Sequence, residues 1–119
     1  MFKSILQKIV DEADCGLGAI VMGQDGIAVE EYLCSCGETD LHLLTVEYAS
    51  VLKEIRKSAQ ILGTGPLEEV SIRTRRFSIL LRPLSEEYFV GLILEHNGNF
   101  GKGRYLLLRE SFALREQLG

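Results

Sequence analysis

Two short segments of this sequence are apolar at almost every position. Residues 17–22 read Leu-Gly-Ala-Ile-Val-Met, and residues 88–94 read Tyr-Phe-Val-Gly-Leu-Ile-Leu. Neither segment alternates apolar with polar side chains, as a strand with one face in water would. A strand that is apolar on both faces needs a covering layer on each side. The sequence therefore predicts a sheet with helices on both faces, the three-layer sandwich of an α/β (α+β) protein.

Turn and helix signals place the other elements around these two strands. The Asp-Gly pair at 25–26 is typical of a tight hairpin, and Thr39 or Asp40 caps a long helix that Gly63 ends. The predicted order is α-β-β-α-β-β-β-α, with helices from residue 2 to near residue 16, at 41–62 and at 104–118, and strands at 17–22, 27–34, 67–75, 77–81 and 88–94. Hairpin connections make this five-stranded sheet antiparallel. We expect the first and fifth strands in its interior and the second and third at its edges.

Length and composition limit the class of protein. A chain of 119 residues is expected to form one domain, residues 1–119. Its net charge of −4 repels phosphate and disfavours nucleic acid as a partner. No apolar run reaches the roughly 18–20 residues of a membrane span, and lysines interrupt the first helix where a signal peptide would be apolar. Three cysteines are too few for a disulfide framework, which favours the cytoplasm.

Two groups of residues invite a ligand-binding interpretation. The glycine-rich segment 97–103 precedes a helix, but His96 and Gly103 stand where a phosphate-binding P-loop needs glycine and serine or threonine. Cys34 and Cys36, with His42 and Cys15, are a weaker pattern than the paired C-x-x-C of structural zinc sites. We interpret the glycines as a turn and the cysteines as ordinary thiols, and predict no metal and no cofactor.

The charged clusters do not predict catalysis either. Adjacent glutamates at 30–31, 68–69 and 86–87 point to opposite faces of a strand, so no pair converges in a cleft for acid–base chemistry. The basic run at 73–76, Arg-Thr-Arg-Arg, is short and has one aromatic neighbour, and we interpret it as a solvated hairpin end. The sequence therefore predicts no catalytic residue and a protein that is not an enzyme.

The predicted helix at 41–62 carries more apolar side chains than one sheet can cover. The stripe expected to face the sheet comprises Leu41, Leu44, Tyr48, Leu52, Ile55, Ala59 and Leu62. Outside it lie Leu43, Val46, Ala49, Ser50 and Ile61. This surplus predicts docking of a second chain, the alternative being a cover from a loop of the same chain. The second half of the helix carries Lys53, Glu54, Arg56 and Lys57, a mixture suited either to a reversible partner contact or to a solvated face.

Several segments in this order carry a family resemblance. They are residues 18–22 with 24–27, then 61–70 (Ile-Leu-Gly-Thr-Gly-Pro-Leu-Glu-Glu-Val), 81–84 and 99–104. With them the chain resembles the Roadblock family, the dynein light chain superfamily with a profilin-like, longin-like sandwich. Within that family it is most similar to the bacterial MglB-like branch. One difference is Lys102-Gly103, where relatives often carry an apolar residue and alanine.

The resemblance implies a function as well as a fold. It implies a homodimer in which the long helices pack antiparallel and the third strands join two sheets, with an interface formed by Leu43, Val46, Ala49, Ser50, Lys53, Val70, Ile72 and Thr74. It also implies binding of a Ras-like small GTPase. The founding member of the MglB-like branch accelerates the GTP hydrolysis of such a GTPase without inserting an arginine finger. We expect a regulator or scaffold whose partner contacts are Lys53, Glu54, Arg56 and Lys57. The alternatives are a light-chain-like adaptor on a motor or sensory assembly, and a cysteine- or metal-dependent enzyme.

Overall fold

The computed structural model describes residues 1–34 and 39–119 and contains eight elements in the predicted order. Their bounds are α1 Phe2–Glu12, β1 Gly16–Gly23, β2 Ala28–Leu33, α2 Leu41–Leu62, β3 Val70–Arg73, β4 Phe77–Pro83, β5 Tyr88–Glu95 and α3 Phe100–Leu118. The sequence-based bounds of α2 agree with the structure at both ends. Strand β3 is shorter than the predicted 67–75, and β4 is longer than the predicted 77–81.

The strands form one antiparallel sheet in the order β2-β1-β5-β4-β3. Strands β1 and β5 lie in the interior, and β2 and β3 form the two edges, as predicted. Ile20 pairs with Gly91 across β1 and β5, so a strand from each end of the chain meets at the centre of the sheet. Because β2 and β3 lie at opposite edges, α2 carries the chain from one edge to the other.

Side chains on successive strand positions enter two separate cores, one on each face of the sheet. Helices α1 and α3 cover one face, where the buried strand residues include Ala19, Val21, Leu80, Val90 and Leu92. Helix α2 covers the other face, where they include Ile20, Met22, Ile79, Leu81, Phe89 and Ile93. The three-layer antiparallel sandwich predicted from the sequence is therefore confirmed.

Helix α2 is rotated a little from the predicted orientation: Leu41 and Leu52 are buried and Leu44 and Tyr48 pack on the same core, as predicted, but Thr45 and Ala49 are buried as well. Its buried residues are Leu41, Thr45, Ala49 and Leu52, whereas Leu62 is 73% exposed. The reason is steric, because Gly91 has no side chain and small α2 residues can approach it. A Cβ placed on Gly91 would lie 3.8 Å from Thr45 Cγ2. The Thr45 hydroxyl is satisfied by the Leu41 carbonyl at 2.9 Å, so its burial leaves no unpaired donor.

Helix α3 begins at Phe100, four residues before the predicted start at Arg104. The side chain of Asn99 caps it by accepting the Lys102 N–H at 3.0 Å. Gly103 is buried, and a Cβ there would lie 3.0 Å from Leu80 Cδ1 and 3.2 Å from Leu94 Cδ1. The predicted glycine loop is thus largely the first turn of a helix that packs closely on the sheet.

Candidate interaction surface

Helix α2 is held at both ends by the residues that the sequence predicted. The Asp40 carboxylate accepts the Leu43 N–H at 3.0 Å, and Gly63 ends the helix in the left-handed conformation with φ 64°. Leu43 and Ile61 are 18 residues apart, which is five full turns, so they lie on the same side of the helix. This side is opposite the buried Thr45 and Ala49 and faces away from the sheet. Leu43 and Ile61 are 54% and 79% exposed, and Val51 and Leu62 are also exposed. Uncovered apolar side chains therefore lie at both ends of the outer face of α2, and Glu47, Ser50, Glu54 and Lys57 are exposed between them.

The α2 residues predicted for a dimer interface divide into three groups. Leu43, Ser50 and Lys53 are exposed on the outer half of the helix. Val46 is half-buried and packs against the core beneath α2. Ala49 is 1% exposed and belongs to that core, so its prediction as a surface contact is wrong. The rotation of α2 toward Gly91 turns Ala49 inward.

Strand β3 offers a backbone edge rather than outward side chains. Val70 and Ile72 are half-buried and pack against the core beneath α2. Thr74 follows the strand and is exposed, and its N–H donates to the Phe77 carbonyl at 2.8 Å. Within the described residues, β3 is paired only with β4. Its other edge can therefore accept a further strand, as an interface built through β3 would require.

Three basic residues of α2 line two adjoining grooves. Lys53, Arg56 and Lys57 border a groove of about 780 Å³ together with the loop after α2. Lys53 also borders a second groove of about 440 Å³ beside the β1–β2 turn. Arg56 Nη1 donates to the Ser85 carbonyl at 3.0 Å, and Lys57 pairs with Glu54 at 3.6 Å. Three of the four predicted partner-binding residues thus line the larger groove, and Glu54 lines neither groove but pairs with Lys57.

Other residues of these grooves were not predicted. Gln24 and Glu86 line both grooves, and Pro66 and Leu67 line the larger one. The Gln24 side chain donates to the Glu86 carbonyl, which joins the β1–β2 turn to the β4–β5 turn. The sequence signals each turn separately. Only the pairing of β1 with β5 places the two turns side by side.

The candidate metal ligands are separated or already paired. His42 Nδ1 lies 2.7 Å from Glu31 Oε2, which ties the start of α2 to edge strand β2. Cys15 lies beside Asp14, and its pKa is raised by desolvation and by the Asp14 and Glu95 carboxylates. No group of three or more His, Cys, Asp or Glu side chains within residues 1–34 and 39–119 could hold a metal ion. Cys36 lies outside the described residues.

In the part of the chain that the structure describes, no helix is both long enough and apolar enough to cross a membrane. Helix α2 is the longest at 22 residues, and charged side chains occupy its second half.

No family model and no curated protein matches the sequence. Similar proteins are found among the solved structures. The chain is similar to MglC from Myxococcus xanthus, with 37% identity, 98% of each chain covered and a TM-score of 0.72. A Roadblock/LC7 domain from Streptomyces avermitilis aligns with a TM-score of 0.83 at 9% identity, covering 97% of this chain and 95% of that one. The gliding protein MglB from Thermus thermophilus aligns with a TM-score of 0.81 at 17% identity, covering 96% and 85%. The last two share the fold.

Proposed function

This chain belongs to the Roadblock/LC7 family, and we propose that residues 1–119 are one such domain, which acts in the cytoplasm as a homodimeric regulator or scaffold of a Ras-like small GTPase. That the partner is a small GTPase is what the resemblance to the Roadblock family implies. In this proposal the protein itself has no catalytic activity, and it acts by holding its partner.

The observation that carries the proposal is the group of exposed apolar side chains on α2. Four large apolar side chains on this helix are between 46% and 79% exposed, while the opposite face is buried on the sheet. At about 25 cal/mol per Å² of apolar surface, covering them contributes several kcal/mol before the costs of association. A twofold axis beside residue 52 would place Leu43 of one protomer opposite Ile61 of its partner. In such an antiparallel pair, both ends of each helix are covered.

The GTPase contact is proposed at the grooved end of α2. Lys53, Arg56 and Lys57 border the groove of about 780 Å³, and Glu54 adds one acidic group beside them. Arg56 is held by the Ser85 carbonyl, so part of this charge is positioned before a partner arrives. Exposed charges of this kind tune the rate and specificity of a reversible contact more than its strength. The contact should accordingly weaken as salt is added.

The test is binding to Ras-like GTPases encoded in the same genome, each loaded with GDP or with a non-hydrolysable GTP analogue. We expect preferential binding of the GTP form. Arg56→Glu, which reverses a groove charge outside the predicted dimer interface, should weaken it by about tenfold or more while the protein keeps its dimeric mass. Lys3→Glu is the matched control, because Lys3 is an exposed lysine on α1, on the other face of the sheet.

Two results would redirect the proposal. Equal binding of both nucleotide forms, or no binding at all, leaves the light-chain-like adaptor as the function of this dimer. If the GTP form is preferred, single-turnover hydrolysis with and without the dimer separates an activator from a scaffold.

A further inference from the structure

Helix α3 carries an exposed apolar stripe on the opposite layer of the protein from α2. Tyr105, Leu108 and Phe112 follow the i, i+3, i+7 spacing of one helix face. They are 59%, 55% and 69% exposed, while Leu106, Leu107 and Leu114 of the same helix are buried against the sheet. We call Tyr105, Leu108 and Phe112 the α3 stripe. Three large apolar side chains in one row are a contiguous patch and not scattered surface residues.

Basic side chains flank the α3 stripe on both sides. The exposed charged residues of α3 are Lys102, Arg104, Arg109, Arg115 and Glu116, four cations against one anion. Arg104 pairs with Glu69 at 2.8 Å and Arg109 with Glu12 at 3.0 Å. Within the described residues, Lys102 and Arg115 make no ion pair.

The β3–β4 hairpin extends this basic surface at the start of α3. We call its three exposed arginines, Arg73, Arg75 and Arg76, the basic hairpin. The Arg73 guanidinium lies 5.9 Å from the centre of the Phe100 ring and donates to the His96 carbonyl at 3.0 Å, which places the hairpin beside the first turn of α3. No ion pair involves these arginines in the part of the chain that is described. A protein of net charge −4 thus concentrates positive charge at one end of an apolar stripe.

The charge and size of this surface select among three kinds of occupant. A second copy of the chain would bring the same cations together around a twofold axis, and a few hundred Å² of apolar surface is below the roughly 800 Å² per partner of a stable interface. An anionic membrane would be repelled by the acidic remainder of the molecule, and a stripe that spans residues 105–112 is only about 10 Å long. A single helix with carboxylates beside its apolar face matches both the charge and the length.

We propose that the α3 stripe and the basic hairpin form a docking site for an acidic amphipathic helix of a partner protein. The partner's apolar side chains at i, i+3 or i+4 and i+7 lie on Tyr105, Leu108 and Phe112. Its carboxylates face Lys102 and the arginines of the basic hairpin. Because α3 and α2 cover opposite faces of the sheet, the site does not depend on GTPase binding, and both contacts can be occupied together.

The experiment is a selection from a displayed library of helical peptides, with the full-length protein as the target. We expect enriched peptides that carry Asp and Glu beside apolar residues at helical spacing. Their Kd, measured by fluorescence polarisation, should rise by about tenfold or more in Leu108→Asp and in the double variant Arg75→Glu, Arg76→Glu. Phe112→Asp should act like Leu108→Asp. Ile27→Asp, which changes an apolar residue that is 68% exposed on the β1–β2 turn, should leave the Kd unchanged.

Several outcomes would overturn the proposal, provided that circular dichroism shows each variant to be folded. They are the absence of any enriched peptide, enrichment without an acidic excess, and binding that Leu108→Asp does not affect. Binding to phosphatidylserine-rich vesicles that Leu108→Asp abolishes would assign the surface to a membrane. A smaller oligomer in sedimentation of Leu108→Asp would assign it to a second copy of the chain.

Discussion

The backbone around Gly98 leaves almost no room for a side chain. A Cβ there would lie 2.6 Å from the Asp14 carbonyl oxygen and 3.2 Å from that of Glu95, and backbone atoms cannot rotate aside. The neighbouring Asn99 N–H donates to Asp14 Oδ2 at 3.1 Å, so the start of α3 is attached to the turn before β1. We expect Gly98→Ala to lower the free energy of unfolding by roughly 1–3 kcal/mol in urea titrations.

Gly101 supplies the control for this prediction. The nearest atom to a Cβ at Gly101 is 3.8 Å away, which is an ordinary contact. Gly101 also lies inside α3, so Gly101→Ala should be neutral or stabilising by up to about 1 kcal/mol. Equal urea midpoints for the two alanine variants would contradict the steric argument.

The Cys15 thiol is expected to react slowly in the folded protein. Desolvation, followed by the Asp14 and Glu95 carboxylates, raises its pKa, and the thiolate is the reactive form. The variant Cys34→Ser, Cys36→Ser leaves Cys15 as the one thiol of the chain. At neutral pH its reaction with a disulfide reagent should be several-fold slower when folded than in urea. As the pH rises above the range of an ordinary thiol, the folded protein should approach the unfolded rate. A folded rate equal to the unfolded rate at neutral pH would refute this.

At the scale of elements, the position of α2 depends on its close approach to β5. A Cβ on Gly91 would lie 3.3 Å from Leu81 Cδ2, and the larger Gly91→Val side chain would reach Thr45 on α2. We expect this overpacking to destabilise the protein by about 1–3 kcal/mol. Thr45→Ser removes the methyl group and keeps the hydroxyl that bonds to the Leu41 carbonyl. The double variant Gly91→Val, Thr45→Ser should therefore lose less free energy of unfolding than the two single variants lose in sum. Strict additivity would show that α2 and β5 are not in steric contact at these two residues.

At the scale of the whole molecule, we expect a homodimer at micromolar concentration. Sedimentation velocity should give twice the chain mass of 13.3 kDa. Leu43→Glu combined with Ile61→Glu should convert it to a monomer, because charges enter the desolvated contact between two α2 helices. Tyr105→Glu on α3 is the matched control and should leave the dimer intact, since Tyr105 is similarly exposed on the opposite layer. A wild-type monomer at that concentration would remove the basis for the dimer.

Part of this architecture follows from signals that act over a few residues. Unbroken apolar runs in β1 and β5 require two covering layers, the Asp-Gly turn makes a hairpin, and Gly63 ends α2 in a conformation that other residues avoid. The order of elements, the interior and edge strands and the family were predictable for this reason. The start of α3 also had a local signal, the Asn99 cap, but the low helix propensity of the glycines after it favoured a loop.

What the sequence by itself determined about this protein is therefore its list of elements and its layers. Tertiary structure alone decided which side chains remain available to partners. Ala49 is hidden because α2 turns toward Gly91, and Gln24 meets Glu86 because β1 pairs with β5. The basic hairpin reaches α3 because β3 lies at the sheet edge beside Phe100. Each of these contacts joins residues distant in sequence, and packing on a sheet selects them through shape and burial that no local pattern encodes.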